Sequence, residues 1–110
     1  MEKIIKVGKY EIPAKSNAGI LLTYKRNFKE DALQEVVKLA SLNSKTLEGL
    51  DTDVFFKLLW VLAKTANNDI PPLDIWIGQF DVDPITFIME SVEDVLEMVF
   101  SNLEVTQKKR

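Results

Sequence analysis

The feature that most constrains this fold is a run of ten residues from Val54 to Ala63, in which every residue except Lys57 is apolar. Asp51 precedes the run and can accept hydrogen bonds from the free N–H groups of a first helical turn, so a helix is predicted over 52–66. On a period of 3.6 residues, the apolar side chains cover nearly the whole circumference. Such a helix lies at the centre of its fold or is covered by a partner, and both alternatives remain open.

The first fifteen residues predict a β-hairpin. Two short runs rich in β-forming residues, 3–7 and 10–12, flank the pair Gly8-Lys9, which suits a two-residue turn. We expect Pro13 to end the second strand, because proline has no N–H group to donate to a strand ladder.

The remaining pattern predicts helices separated by capping residues and prolines. Ser16 or Asn17 can cap a first helix, Asp83 can cap a helix that begins at Pro84, and the sequence from Ser91 to Asp94 resembles a capping box. The helices other than 52–66 are predicted over 17–26, 32–43, 73–79, 84–90 and from 92 onward. The fold class is therefore mainly α (α+β), with an N-terminal hairpin followed by a compact bundle of about five or six helices.

Composition supports one folded domain. The chain has 110 residues, of which 46% are hydrophobic and 28% are charged, a balance typical of a globular protein. We expect one domain over residues 1–105 and a disordered basic tail over 106–110. No run approaches the roughly 20 apolar residues of a membrane helix, and none has the form of a signal peptide. The sequence thus predicts a cytoplasmic protein with no membrane partner.

The sequence lacks residues on which several kinds of catalytic and metal-binding sites depend. The chain contains no cysteine and no histidine, which excludes disulfides, thiolate nucleophiles and the commonest general base. Asp81 and Asp83 begin like a calcium loop, but Ile85, Thr86 and Val92 stand where that loop needs a ligand, a glycine and a bidentate glutamate. We expect no enzyme activity, no metal site and no cofactor. A cryptic carboxylate enzyme is the weakest alternative and would need a deep pocket at Asp81 or Asp83.

The charges are unevenly distributed along the chain. Residues 1–30 carry a net charge of +4, residues 31–107 carry −10 and the last three residues carry +3. The basic N-terminal third leaves a small regulatory or nucleic-acid-binding adaptor domain as the alternative function. Nucleic-acid binding is nevertheless not expected, because no basic helix with interleaved aromatic residues accompanies those charges.

Two tryptophans are the residues best able to anchor a protein partner. Trp60 lies in the apolar run, and Trp76 lies in the short segment between two loops that contain proline. Tryptophan offers a large contact area and a polar N–H group, which is why it is common at interfaces. Packing of both rings inside the core is an equally good interpretation.

Residues 51–80 resemble the core of tail assembly chaperones from long-tailed phages and prophages of Gram-positive bacteria. The family pattern D-x6-L-L-W-x2-A-K begins here at Asp51 and ends at Lys64, and the pattern P-x3-W-L-x2-F spans residues 72–80 with Ile77 in place of leucine. The resemblance extends weakly over residues 1–105. It suggests Trp60, Trp76, Ile77 and Phe80 as partner-binding residues.

The resemblance implies an assembly factor. Proteins of this family bind the tape measure protein, a long helical rod, keep it soluble and help to recruit tail tube subunits, and they are absent from the mature virion. Many occur in two forms, of which the longer arises by a −1 ribosomal frameshift near the end of the short reading frame. We therefore expect the tape measure protein and the tail tube protein as partners, together with a homo-oligomer and a frameshifted longer form.

Overall fold

The computed structural model describes residues 1–42 and 46–108, with only the backbone described from 101 onward. Within these residues, a two-stranded antiparallel hairpin precedes five α-helices, so the predicted fold class is confirmed. The elements are β1 (Glu2–Val7), β2 (Tyr10–Lys15), α1 (Ile20–Phe28), α2 (Leu33–Lys38), followed by a 3₁₀ turn (Leu39–Ser41), α3 (Thr52–Ala66), α4 (Leu73–Ile77) and α5 (Pro84–Lys108).

Helix α3 lies at the centre of the molecule. It begins where predicted, because the Asp51 carboxylate accepts the Val54 N–H at 3.2 Å. It packs against β2, α1 and α4. Eight of its apolar side chains are buried (Val54, Phe55, Leu58, Leu59, Trp60, Val61, Leu62 and Ala63). Of the two alternatives for this apolar helix, the central position in the fold is therefore the one observed.

The hairpin covers one side of the core with alternate residues, as the period of two in a strand requires. Ile5, Val7, Ile12 and Ala14 are buried, and Gly8 adopts a φ of +58° at the first position of the turn. This φ is strained for any residue with a Cβ, so glycine suits the position.

Strand β2 continues through Pro13 to Lys15, so the predicted end of the strand at Pro13 is wrong. Met1 and Ser16 exchange two backbone hydrogen bonds, at 2.8 and 2.9 Å. Since hydrogen-bonded and non-bonded pairs alternate along an antiparallel ladder, the Ile4–Pro13 pair is a non-bonded one. The proline therefore gives up no ladder hydrogen bond at this position.

The first two helices are shorter than predicted. Helix α1 begins at Ile20, and the Asn17 side chain accepts the Gly19 N–H at 2.8 Å in the preceding turn. Helix α2 ends at Lys38, changes to a 3₁₀ turn at Leu39 and leaves Ala40 exposed. The predicted helix end near Asn43 lies outside the described residues.

Helix α5 runs without interruption through Ser91, so the predicted division into two helices there is wrong. The Ser91 side chain is buried and its hydroxyl donates to the Phe87 carbonyl at 2.7 Å, which satisfies the serine within the helix and leaves it no capping role. A kink follows at Phe100 (φ −119°, ψ 22°). The backbone is helical up to Lys108, while Lys109 and Arg110 lie outside the described residues; disorder of the 106–110 tail stays a prediction.

Three turns of α5 are attached to the hairpin. The Gly8 N–H donates to the Glu90 carboxylate at 2.7 Å, and the Lys3 ammonium contacts Asp94 at 2.8 Å and also Glu97. The hydrogen bonds that the Lys3 ammonium donates to those two carboxylates raise the pKa of Lys3. The acceptors at 90, 94 and 97 share one face of α5, so this face is fixed to β1 and the opposite face is left for other contacts.

Candidate functional site

Trp60, the first predicted partner-binding residue, is buried within the chain itself. Its ring lies edge-to-face with Phe28 at 5.3 Å, and its Nε1–H donates to the Pro71 carbonyl at 2.9 Å. This hydrogen bond joins α3 to the loop before α4. Trp60 thus has a structural role in the single chain, with only 4% of its surface exposed.

Trp76, Ile77 and Phe80 are brought together at α4 and the loop that follows it. Trp76 is also buried, and its ring meets Phe80 edge-to-face at 5.0 Å. Phe80 is half-buried, and its ring centroid lies 5.1 Å from that of Tyr10 and 5.4 Å from that of Phe87. Ile77 is half-buried as well. Of the four predicted partner-binding residues, Ile77 and Phe80 keep the larger accessible surface.

Helix α5 presents apolar residues that sequence reasoning did not select. Ile85 is 63% exposed and Met89 is 46% exposed. Being four residues apart on one helix, they lie on the same face, whereas Phe87 and Ile88 are buried. We call Ile85 and Met89 the α5 outer pair. The sequence did contain a signal for this exposure. Ile85 and Met89 fall outside the helical repeat of the apolar residues that α5 buries.

A second exposed apolar pair occurs on α2. Leu33 and Val37 are again four residues apart and are 50% and 55% exposed. Helix α2 spans only Leu33–Lys38, however, whereas the α5 outer pair lies at the start of the longest helix described. The α5 face is therefore the more extended platform for a helical partner.

The loop carboxylates that could have formed a catalytic or metal site are all exposed. Asp83 caps α5 by accepting the Thr86 N–H at 2.9 Å, and this hydrogen bond lowers the pKa of the Asp83 carboxyl. Asp81 donates its backbone N–H to the Tyr10 hydroxyl at 2.9 Å. Asp69 and Asp74 also lie at the surface. In the described part of the chain, no group of three or more carboxylates is arranged to hold a metal ion.

Comparisons with known proteins give no relative. None of the helices within the described ranges combines the length and apolarity needed to cross a membrane. Scans against protein-family models, curated proteins and solved structures find no match to this chain.

Proposed function

We propose that this protein is a tail assembly chaperone of a long-tailed phage or prophage, which binds the tape measure protein, keeps it soluble and helps to recruit tail tube subunits. In this proposal it acts in the cytoplasm of the bacterial host and is absent from the mature virion. The resemblance over residues 51–80 supports the family, and the exposed apolar face of α5 supports the mode of binding.

The α5 outer pair is the observation that carries the proposal. Apolar residues at positions i and i+4 are the anchors with which one amphipathic helix docks on another. Ile85 and Met89 provide such anchors on a long helix, and the exposed carboxylate of Glu93, four residues after Met89, lies beside them. This surface suits a helical partner that carries an apolar stripe flanked by basic residues, as a segment of a long helical rod can.

The central helix α3 has a different role in this proposal. Eight of its apolar side chains are buried within the chain and Phe56 is half-buried, so the helix mainly stabilises the fold. The proposal assigns partner binding to apolar side chains that are still accessible, the α5 outer pair together with the half-buried Ile77 and Phe80.

Co-expression with a fragment of the tape measure protein tests the proposal. The native chain is expected to keep the fragment in the soluble fraction, and the double variant Ile85→Lys/Met89→Lys is expected to lose this ability, because two charges oppose burial of that face. Leu22→Lys is the matched control, since Leu22 is 65% exposed on a different helix, α1. A fragment that precipitates equally with and without the native chain contradicts the proposed function.

The proposal includes two forms of the protein and a homo-oligomer. If this chain is the short form, the codons for Gln107, Lys108 and Lys109 should contain a heptamer such as A-AAA-AAG, and an open −1 frame should follow. The gene sequence and mass spectrometry of the native source test the longer form. Light scattering of the purified protein tests the homo-oligomer.

A further inference from the structure

An acidic cleft lies where α1, α2 and α3 meet, away from the α5 outer pair. Its volume is about 330 Å³, at the lower end of the range of roughly 300–1,000 Å³ for small-ligand sites. Tyr24, Ala32 and Val54 line it together with five carboxylates. These carboxylates come from the loop between α1 and α2, from α2 and from the start of α3: Glu30, Asp31, Glu35, Asp51 and Asp53.

Most of these carboxylates already have partners in the fold. Asp51 and Asp31 accept the N–H groups of Val54 and Leu33, each at 3.2 Å. Glu30 and Asp53 share the Lys57 ammonium at 2.9 and 2.8 Å.

Among the described residues that line the cleft or pair with it, one cation, Lys57, therefore stands against five anions. Glu35 has no hydrogen-bond or ion-pair partner among the described residues. The cleft keeps an excess of negative charge together with unused acceptor capacity.

The buried hydroxyl of Tyr24 gives an independent sign of a ligand. The Tyr24 side chain is fully buried and lines the cleft, yet its hydroxyl has no hydrogen-bond partner among the residues that the structure describes. Burial raises the pKa of Tyr24 to about 12, and the nearby carboxylates of Glu30, Asp53 and Asp51 add to this increase while Lys57 opposes it. The Tyr24 hydroxyl therefore lies near the carboxylates of the cleft. Since an unpaired buried hydroxyl destabilises a fold, a group that binds it in the cleft is favoured.

We propose that this cleft binds the guanidinium group of an arginine side chain from a partner polypeptide. The site needs a cation that donates hydrogen bonds to several acceptors at once, and a guanidinium has five N–H donors in a fixed plane, against three on an ammonium. The Glu35 carboxylate, the Tyr24 hydroxyl and the lone pairs that the other carboxylates leave unused can accept its N–H groups. The inference does not rest on tape measure binding, because the α5 outer pair belongs to a different surface.

Titration with Nα-acetyl-arginine methylamide tests the inference. The backbone amide signals of Ala32 and Val54, followed by ¹⁵N NMR in the full-length chain, should shift in a saturable manner. The ring signals of Tyr24 should shift with them, and those of Tyr10, the only other tyrosine, should not. Nα-acetyl-citrulline methylamide has the same shape without the charge and should bind at least about tenfold more weakly.

Variants localise the binding. Glu35→Gln and Tyr24→Phe should each weaken the affinity by at least about threefold, because the first removes a negative charge and the second removes an acceptor. Glu11→Gln is the matched control, since it removes one exposed carboxylate from β2, outside the cleft, and should leave the affinity unchanged. Circular dichroism verifies folding, and the surface variant Glu35→Gln keeps the test decisive should Tyr24→Phe not fold.

Four results overturn the inference. Shifts that do not saturate, or citrulline binding as tightly as arginine, exclude a guanidinium site. Equal loss of affinity in Glu11→Gln and Glu35→Gln indicates attraction by the overall charge. Spermidine binding more tightly than the arginine probe assigns the cleft to a free polyamine and excludes a partner's arginine.

Discussion

Helices α3 and α5 both carry apolar side chains on more than one face, but α3 buries eight of them whereas α5 leaves Ile85 and Met89 exposed. Helix α3 has β2, α1 and α4 around it, whereas the main neighbours of α5 are β1 and the 3₁₀ turn. Leu59 on α3 is fully buried, whereas Ile85 on α5 is 63% exposed. The comparison shows two roles for apolar residues. Those of α3 stabilise the fold, whereas Ile85 and Met89 on α5 remain accessible and, in the proposal, bind a partner.

The largest effect is expected from a cavity in α3. Leu59→Ala should lower the free energy of unfolding by about 2–5 kcal/mol, because Leu59 is fully buried and the removed atoms leave space in the core. Urea unfolding followed by circular dichroism measures the change. An unchanged midpoint contradicts the central role of α3.

A smaller loss is expected where α3 meets the loop before α4. Trp60→Phe should lower the free energy of unfolding by about 1–3 kcal/mol, because it removes the hydrogen bond from Nε1 to the Pro71 carbonyl and leaves a small cavity. Thermal unfolding compared with the native chain measures this loss. A variant as stable as the native chain shows that the hydrogen bond contributes no net stability.

The start of α3 should contribute less again. Asp51→Ala removes the side chain that accepts the Val54 N–H, and should cost about 1 kcal/mol. Asp51→Asn is the control that keeps an acceptor oxygen at this position, and it should recover most of the loss. If both variants lose the same stability, the charge of Asp51 matters more than its hydrogen bond.

The smallest effect on stability is expected at the α5 outer pair. Ile85→Ser and Met89→Ser should each change the free energy of unfolding by no more than about 0.5 kcal/mol, because both side chains are largely exposed. The same variants should reduce the solubilisation of a tape measure fragment. A loss above about 2 kcal/mol in urea unfolding shows that this face supports the fold and removes the contrast with α3.

Local signals in the sequence predicted much of the fold. The apolar run after Asp51 predicted the extent of α3, and Asp83 with Pro84 predicted the start of α5. Pro13 and Ser91 misled because their effects depend on tertiary context. A proline is tolerated at a non-bonded position of a ladder, and a buried serine can bond within its own helix.

The candidate sites were less predictable because they depend on which faces the fold leaves uncovered. Trp60 and Trp76 have the composition of interface residues, but the fold buries both. The acidic cleft collects residues from 24 to 54, and only the packing of α1 and α2 on α3 brings Tyr24 next to Asp53. The spacing of these residues along the chain carries no sign of that proximity.

The attachment of α5 to the hairpin has a consequence for the time course of synthesis. The acceptors of Gly8 and Lys3 lie 82 to 94 residues further along the chain. At about 5–20 residues per second, the ribosome makes them roughly 4–20 s after β1. An isolated two-stranded hairpin is at best marginally stable in water, so during this interval the hairpin depends on its packing against α3 and lacks the contacts that α5 makes with β1. We therefore expect the newly made chain to be more prone to aggregation until its last helix is made.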